Sequence, residues 1–229
     1  PYEPVQVLDP AEPYSIGAMV GPDAYTEVRY LAHEKQLQAL RLIPEIGRVF
    51  EDVFGRTSCG LVYSYRTEGA DVVAVALGSV NGTIKEVVDA MRADGAAVGS
   101  VSVPSFRPFP LEELRVALGD AKHVVVIEKN LAPGLGGMVA SDIRMALRDT
   151  PIQIYTVIAG LGGRPITMAA LQEVLAGAGD GKLPDMQFLD LDHGIVEHEI
   201  IRSHRVRRSG PTAENILRNP AATITRAED

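Results

Sequence analysis

Four short apolar runs alternate with four amphipathic segments between residues 71 and 179, and this alternation constrains the fold more than any other feature. The runs are "DVVAVALGS" (71–79), "AAVGSVSV" (96–103), "KHVVVIEKN" (122–130) and "IQIYTVIAG" (152–160). Between and after them lie "NGTIKEVVDAMRADG" (81–95), "PLEELRVALG" (110–119), "GMVASDIRMALR" (137–148) and "TMAALQEVLAGAG" (167–179), each with helical periodicity. The repeat is about 25–30 residues, the length of a βα unit. Strands apolar on both faces must be covered on both faces, so the pattern predicts an α/β fold: a mostly parallel sheet with helices on both sides. Right-handed crossovers follow. A further strand is expected in "MQFLDLD" (186–192), which sets an α/β domain over 60–192.

The flanks read differently. Residues 1–22 hold Pro1, Pro4, Pro10, Pro13 and Pro22, and proline removes backbone donors, so this is an extended arm. Its Tyr2, Val5, Val7, Leu8, Tyr14, Ile16 and Met19 need a surface to lie on, either this chain's own domain or a partner. From Asp23 to Phe54, Val28, Leu31, Leu37, Leu40, Ile43, Ile46, Val49, Phe50 and Phe54 recur at helical spacing. Pro44 is expected to kink or split that helix, and Gly55 to stop it. Residues 1–59 are therefore an arm and helical connector, and 193–229 a charged tail.

Ligands of open parallel sheets bind beyond the carboxyl ends of the strands. The four loops expected there are "GSVNGT" (78–83), "PSFRPFP" (104–110), "EKNLAPGLGG" (128–137) and "AGLGGRPIT" (159–167), all rich in Gly, Pro, Asn or Ser. The opposite loops, "RADGAA", "GDAK" and "RDTP", are plain. One edge is thus elaborated for contact. Its candidate interface or ligand residues are Gly78, Ser79, Asn81, Arg107, Asn130, Gly136, Gly137, Gly162, Gly163, Arg164 and Thr167. Backbone N–H groups of Gly136, Gly137, Gly162 or Gly163 can bind an anion at a helix start. The favoured alternative is that these glycines permit tight turns and close approach of a neighbour. Arg164 suits a carboxylate or phosphate, and Thr167 suits the cap of the following helix.

Several chemistries are excluded. No phosphate-binding G-x-x-x-x-G-K-[ST] occurs, and "GLGGMV" (134–139) has Val where a dinucleotide fingerprint needs its third Gly. The single cysteine, Cys59, rules out a disulfide framework or a cysteine-held cluster within this chain and fits a reducing, cytoplasmic setting. The segment "DLDHGIVEHE" (190–199) gathers Asp190, Asp192, His193, Glu197, His198 and Glu199, but its H-x-x-x-E-H spacing misses the metalloprotease pattern, and an ion-paired segment is expected there. The arginine-rich "RSHRVRRSG" (202–210) is read as a solvated or subunit-contacting arm, with an anionic cofactor or acidic partner as the other possibility. Net charge is −8, tryptophan is absent and aromatics are 5%, which argues against nucleic acid. No apolar run approaches ~20 residues, so no membrane span is expected.

The stretches "LGSVNGTIKEVVDAMRADGAAVGSVSVPSFRPFP", "EKNLAPGLGG" and "GLGGRPIT" resemble the alpha subunit of pyruvate:ferredoxin oxidoreductase, and "IGAMVGPDAYTEVRYLAHEKQLQAL" is similar to the connector preceding that region. The resemblance runs from about Val5 to Ala178 and leaves the tail beyond Pro184 unassigned. It implies a transketolase C-terminal-like domain in a thiamine-diphosphate-dependent enzyme that converts a 2-oxoacid to acyl-coenzyme A and passes electrons through iron–sulfur clusters to ferredoxin. It also implies that thiamine diphosphate, magnesium and the clusters sit on other domains or subunits. The expected partners are those subunits, with ferredoxin and coenzyme A reached through the complex. No catalytic, cofactor or metal residue is carried over to this chain, which lacks a "GDG…N" magnesium motif, and the thiamine-binding domain is expected to be a separate chain or missing. Alternatives are a free-standing scaffold of the same fold and a small-molecule enzyme working through the glycine-rich edge alone.

Overall fold

A computed structural model describes residues 3–4, 7–12, 17, 19–58 and 60–205, with side chains to Arg202. Tyr2, Val5, Tyr14 and Ile16 of the arm, Cys59 and the arginines beyond residue 205 lie outside the described residues, whereas Val7, Leu8 and Met19 of the arm are exposed, at 66%, 84% and 100%. The chain divides into two compact units, Pro1–Tyr63 with Val103–Glu113, and Ser64–Ser102 with Leu114–Asp229.

The first unit is dominated by α1 (Pro22–Phe54). Pro22 takes the first turn, where its missing N–H costs nothing, and Gly55 closes the end in the left-handed conformation with its N–H on Glu51 O at 2.7 Å. Pro44 does not split α1, which runs through it as one helix. Proline there removes only the bond to the Leu40 carbonyl, and the many other intrahelical bonds of a 33-residue helix carry the element across. The Phe50 and Phe54 rings lie tilted against each other with centres 4.6 Å apart, and Arg56 lies over the Phe50 ring.

The second unit holds the sheet. Its strands are β1 (Tyr63–Tyr65), β2 (Val72–Ala76), β3 (Val98–Ser102), β4 (His123–Glu128), β5 (Gln153–Ile158) and β6 (Met186–Phe188), in the order β1-β3-β2-β4-β5-β6. Every pair from β3 to β6 is parallel; Val72 faces both Val98 and His123, and His123 faces Gln153. The short β1 has no counterpart among the expected strands, because its half-exposed "YSY" shows no apolar run. All five residues of β2 are buried, as a central strand covered on both sides requires.

The helices are α2 (Val80–Ala93), α3 (Leu111–Leu118), α4 (Met138–Ala146), α5 (Met168–Gly179) and α6 (His193–Arg205). Ile84, Val87 and Val88 of α2 join Leu171, Val174 and Leu175 of α5 over one face, against Val72, Ala74, Val125, Ile127, Tyr155 and Val157. The alternate residues face the other way, and there α4 buries Val139, Ala140 and Ile143. The α/β reading therefore holds, with helices on both faces of the sheet. The expected charged tail begins as helix α6, in which Arg202 and His198 both approach Glu199 Oε1, at 3.5 and 3.4 Å.

Candidate functional site

The chain passes from β2 outward to β3, returns beyond β2 to β4, and continues to β5 and β6. The direction reverses between β2 and β4, so the loops after these two strands flank the switch point of the sheet. Both carry predicted site residues.

After β2, Gly78 makes the turn with φ +75°, a conformation that excludes most side chains. Asn81 then ties the turn together: its amide nitrogen donates to the carbonyls of Gly78 (2.9 Å) and Ala76 (3.2 Å). Ser79 occupies the cap position of α2 without a side-chain capping bond and is exposed. Asn81 is thus a turn-fixing residue whose donor side is spent on its own backbone.

After β4 the loop closes on itself. Ala132 and Gly136 exchange two backbone hydrogen bonds of 2.8 and 2.9 Å, while Asn130 stays exposed at the strand end. The decisive residue is one that the sequence reading passed over. Glu128, the last residue of β4, is only 5% exposed. Its carboxylate accepts hydrogen bonds from Val139 N (2.9 Å) and Ala140 N (3.0 Å), the first turn of α4. The helix start that the glycine pattern offered to an external anion is therefore filled by this chain's own anion. Gly137 is required for that contact, because a Cβ there would collide with Glu128 Oε1 and stand 2.8 Å from Thr156 Cγ2. Gly136, at φ +119°, passes close to Met186: a Cβ there would lie 3.0 Å from Sδ. The signal for Glu128 was present as a single charge at the end of "VVVIE", since a buried charge demands a partner and the next helix start supplies one.

The loop after β5 has the opposite character. A 3₁₀ turn, Leu161–Gly163, carries Gly162 at φ +65° and Gly163 at φ +84°, and a Cβ at either would meet nothing within 4 Å. Arg164 donates to the Asp190 carbonyl, linking this loop to the one after β6. Thr167 caps α5 as expected, its hydroxyl accepting from Ala170 N at 3.2 Å. Leu135, Met138, Leu161, Met168 and Leu191 are all exposed around these carboxyl-end loops, Leu135 at 74%.

Arg107 belongs to the first unit. Its guanidinium lies 4.1 Å from the Phe106 ring centre and 5.8 Å from that of Phe109, and donates to the Phe106 carbonyl. The segment 190–199 forms caps and ion pairs: Asp192 accepts from Ile195 N at 3.0 Å at the start of α6. Among the described residues no group of three or more His, Cys, Asp and Glu stands close enough to hold a metal ion. Two clefts open at the other, amino edge of the sheet. One of about 390 Å³ has Asp71, Lys122, His123 and Asp180 at its mouth, with Lys122 and Asp71 paired at 3.0 Å. The other, about 320 Å³, runs along Arg144, Arg148, Gln153 and Asp185.

A family model described as pyruvate:ferredoxin oxidoreductase core domain II matches residues 70–171, from the lead-in to β2 into the first turn of α5. Over these residues the α/β body is similar to pyruvate:ferredoxin oxidoreductase core domain II. Outside core domain II the similarity continues. The pyruvate synthase subunit PorA of Methanothermobacter thermautotrophicus is 41% identical over 174 residues, 76% of this chain and 45% of that protein. The ketoisovalerate oxidoreductase subunit VorA of Pyrococcus horikoshii is 33% identical over 76% of this chain and 45% of its own length. The chain thus spans about half the length of the curated relatives it matches. A 2-oxoglutarate:ferredoxin oxidoreductase from Magnetococcus marinus superposes with a TM-score of 0.39 and 22% identity, over 54% of this chain and 20% of that one, too partial an overlap for comparing architectures. No helix among the described residues is long and apolar enough to cross a membrane.

Proposed function

We propose that this chain is the part of a thiamine-diphosphate-dependent 2-oxoacid:ferredoxin oxidoreductase that carries core domain II, in an enzyme converting pyruvate or a related 2-oxoacid to acyl-coenzyme A with electrons passed to ferredoxin. The observation that carries the reading is the match over residues 70–171 together with 41% identity to a pyruvate synthase subunit. In this reading the chain supplies shape and docking surface in a cytoplasmic complex. Thiamine diphosphate, magnesium and the iron–sulfur clusters sit on other domains or subunits, which are its partners, and ferredoxin and coenzyme A are reached through the assembly.

The edge chemistry supports a contact role over a catalytic one. Glu128 satisfies the start of α4 from within, Asn81 spends its donors on its own turn, and Thr167 caps α5. Beside the exposed Ser79 and Asn130, the carboxyl edge offers apolar side chains and bare glycine backbone outward, a surface suited to another polypeptide. We assign Leu135, Leu161, Gly162, Gly163 and Leu191 to that contact.

The test is reconstitution. The isolated chain is expected to show no 2-oxoacid-dependent reduction of a viologen dye. Co-expression with the polypeptides that complete the enzyme is expected to give a brown complex active on pyruvate or 2-ketoisovalerate. Turnover by the purified chain alone would contradict the reading and favour an enzyme working through its own edge. Recovery from native cells as a colourless protein with no partner chain would favour a free-standing scaffold.

A further inference from the structure

Asn81 is the one asparagine in the sequence that glycine follows. Such a pair is chemically labile, because no side chain shields the glycine nitrogen. Gly82 N can attack the Asn81 side-chain carbonyl carbon. The bond from that carbon to Nδ2 then breaks, and the nitrogen leaves as ammonia, taking the proton of Gly82 N with it. One water molecule opens the remaining five-membered succinimide to aspartate or isoaspartate.

The closed turn after β2 restrains every atom this reaction uses. The nucleophile is engaged, since Gly82 N donates to Ser79 O at 3.1 Å. The leaving nitrogen is held by the carbonyls of Gly78 and Ala76, at 2.9 and 3.2 Å. Attack would place negative charge on Asn81 Oδ1, which is shut off from water and has no hydrogen-bond donor among the described residues. Ring closure also requires the Asn81 Cβ to eclipse Gly82 N, a rotation that takes the residue out of the helical backbone it has in α2. The same turn is nevertheless weakly held. A buried acceptor without a partner disfavours the closed form. Ser79 adds no capping bond, and Gly78, Ser79 and Gly82 are exposed. Glycine at 82 weakens the helix start, and no packing requires it: a Cβ there would meet no atom within 4 Å. Val80, 7% exposed, pins the turn to the core.

We propose that Asn81–Gly82 is a deamidation site gated by the opening of this turn, and that its conversion holds the turn open. An aspartate at position 81 has no donor for the Ala76 and Gly78 carbonyls and sets a carboxylate against them. The dipole of α2 favours an acid near the helix start, but by less than the loss of those bonds and the burial of an unpaired charge disfavour it. Isoaspartate in addition lengthens the backbone inside the first helical turn. The reaction therefore runs one way, from a fastened turn beside the switch point of the sheet to a loosened one. The proposal stands on this turn alone and is independent of the function proposed above.

Ageing of the purified full chain in mildly alkaline buffer, either folded or unfolded in guanidinium chloride, tests this. The tryptic peptide spanning residues 67–85 holds no other side-chain amide, so its mass gain on deamidation reports Asn81 alone. Conversion is expected about 100-fold slower in the folded chain, because reaction needs the locally open form. Val80→Ala loosens the turn from the core and should speed folded-state conversion about 10-fold, with the unfolded rate unchanged. Gly82→Ala has room for its methyl group, should keep the circular dichroism of the parent, and should lose most of the conversion in both states because that methyl shields the nitrogen. In Asn81→Asp the Gly82 amide should exchange with solvent about 10-fold faster than in the parent. Equal rates in the folded and unfolded chain, a folded-state rate indifferent to Val80→Ala, conversion undiminished by Gly82→Ala, or unchanged exchange in Asn81→Asp would each overturn the proposal.

Discussion

The loops after β4 and β5 leave the same edge of the same sheet, each is rich in glycine and each leads into a helix, yet they solve the helix start in different ways. The β4 loop reaches inward: Glu128 is buried, and its carboxylate holds Val139 N and Ala140 N. The β5 loop uses an exposed local cap, the Thr167 hydroxyl on Ala170 N. Their glycines differ accordingly. Gly137 is small because a carboxylate lies where its Cβ would be, whereas Gly162 and Gly163 are bare in open space and are needed only for their positive φ. Two glycine-rich stretches that look alike in sequence are thus a packed joint and an outward-facing turn.

The sharpest way to break this comparison is to add one methyl group to each loop. Gly137→Ala drives a Cβ into the Glu128 carboxylate and close to Thr156, in a region with no room to yield. It is expected to cost about 3 kcal/mol in urea unfolding. Gly163→Ala meets no atom and bears only the strain of a left-handed residue, about 1 kcal/mol. Equal costs would mean that the two loops are not built differently.

Removing the buried acceptor comes next. Glu128→Ala leaves Val139 N and Ala140 N without their partner and should cost about 2 kcal/mol, since stranded buried donors bear their full desolvation penalty. Glu128→Gln keeps one acceptor oxygen, and a loss of about 1 kcal/mol is expected. Hydrogen exchange reads the cause directly: the Val139 and Ala140 amides should lose protection in Glu128→Ala, while Ala170, at the start of the other helix, should not.

These two helix starts also show what a sequence can and cannot disclose. The cap at Thr167 was legible because capping is local, its donor three residues away on the same segment. The strands around it were legible for a similar reason: "VVAVA" and "HVVVIE" record burial on both faces in every residue. Glu128 was not, because its identity as an internal anion depends on where the chain returns eleven residues later, and a lone acid ending an apolar run reads equally as the first solvent-facing residue. The glycine pattern pointed to the right helix and the wrong anion. At Pro44 a local rule was outweighed by length, since one absent hydrogen bond does not divide a helix of 33 residues. The strand "YSY" left no trace, being three residues long and half exposed.

Thr167→Ala removes a single exposed capping bond. A loss of about 1 kcal/mol is expected, with Thr167→Ser close to neutral, because serine presents the same acceptor. This lies well below the cost of Gly137→Ala, and the difference measures how much more the inward joint contributes than the local cap.

The smallest effect on folding, and the one that separates structure from surface, is expected at Leu161. This residue is 42% exposed and sits in the 3₁₀ turn beside two glycines that nothing covers. Leu161→Glu should leave the unfolding free energy within about 0.5 kcal/mol of the parent, as exposed substitutions away from packed features do. If the outward-facing loop is a contact for the rest of an oxidoreductase, the same change should still prevent the chain from co-purifying with co-expressed partner polypeptides, because burying an unpaired carboxylate in an apolar contact is costly. Measuring stability and assembly on the one variant distinguishes the cases. Unchanged stability with lost assembly makes the β5 loop a docking element. A large loss of stability would show that Leu161 belongs to the core. Assembly that tolerates the charge would move the contact away from this edge.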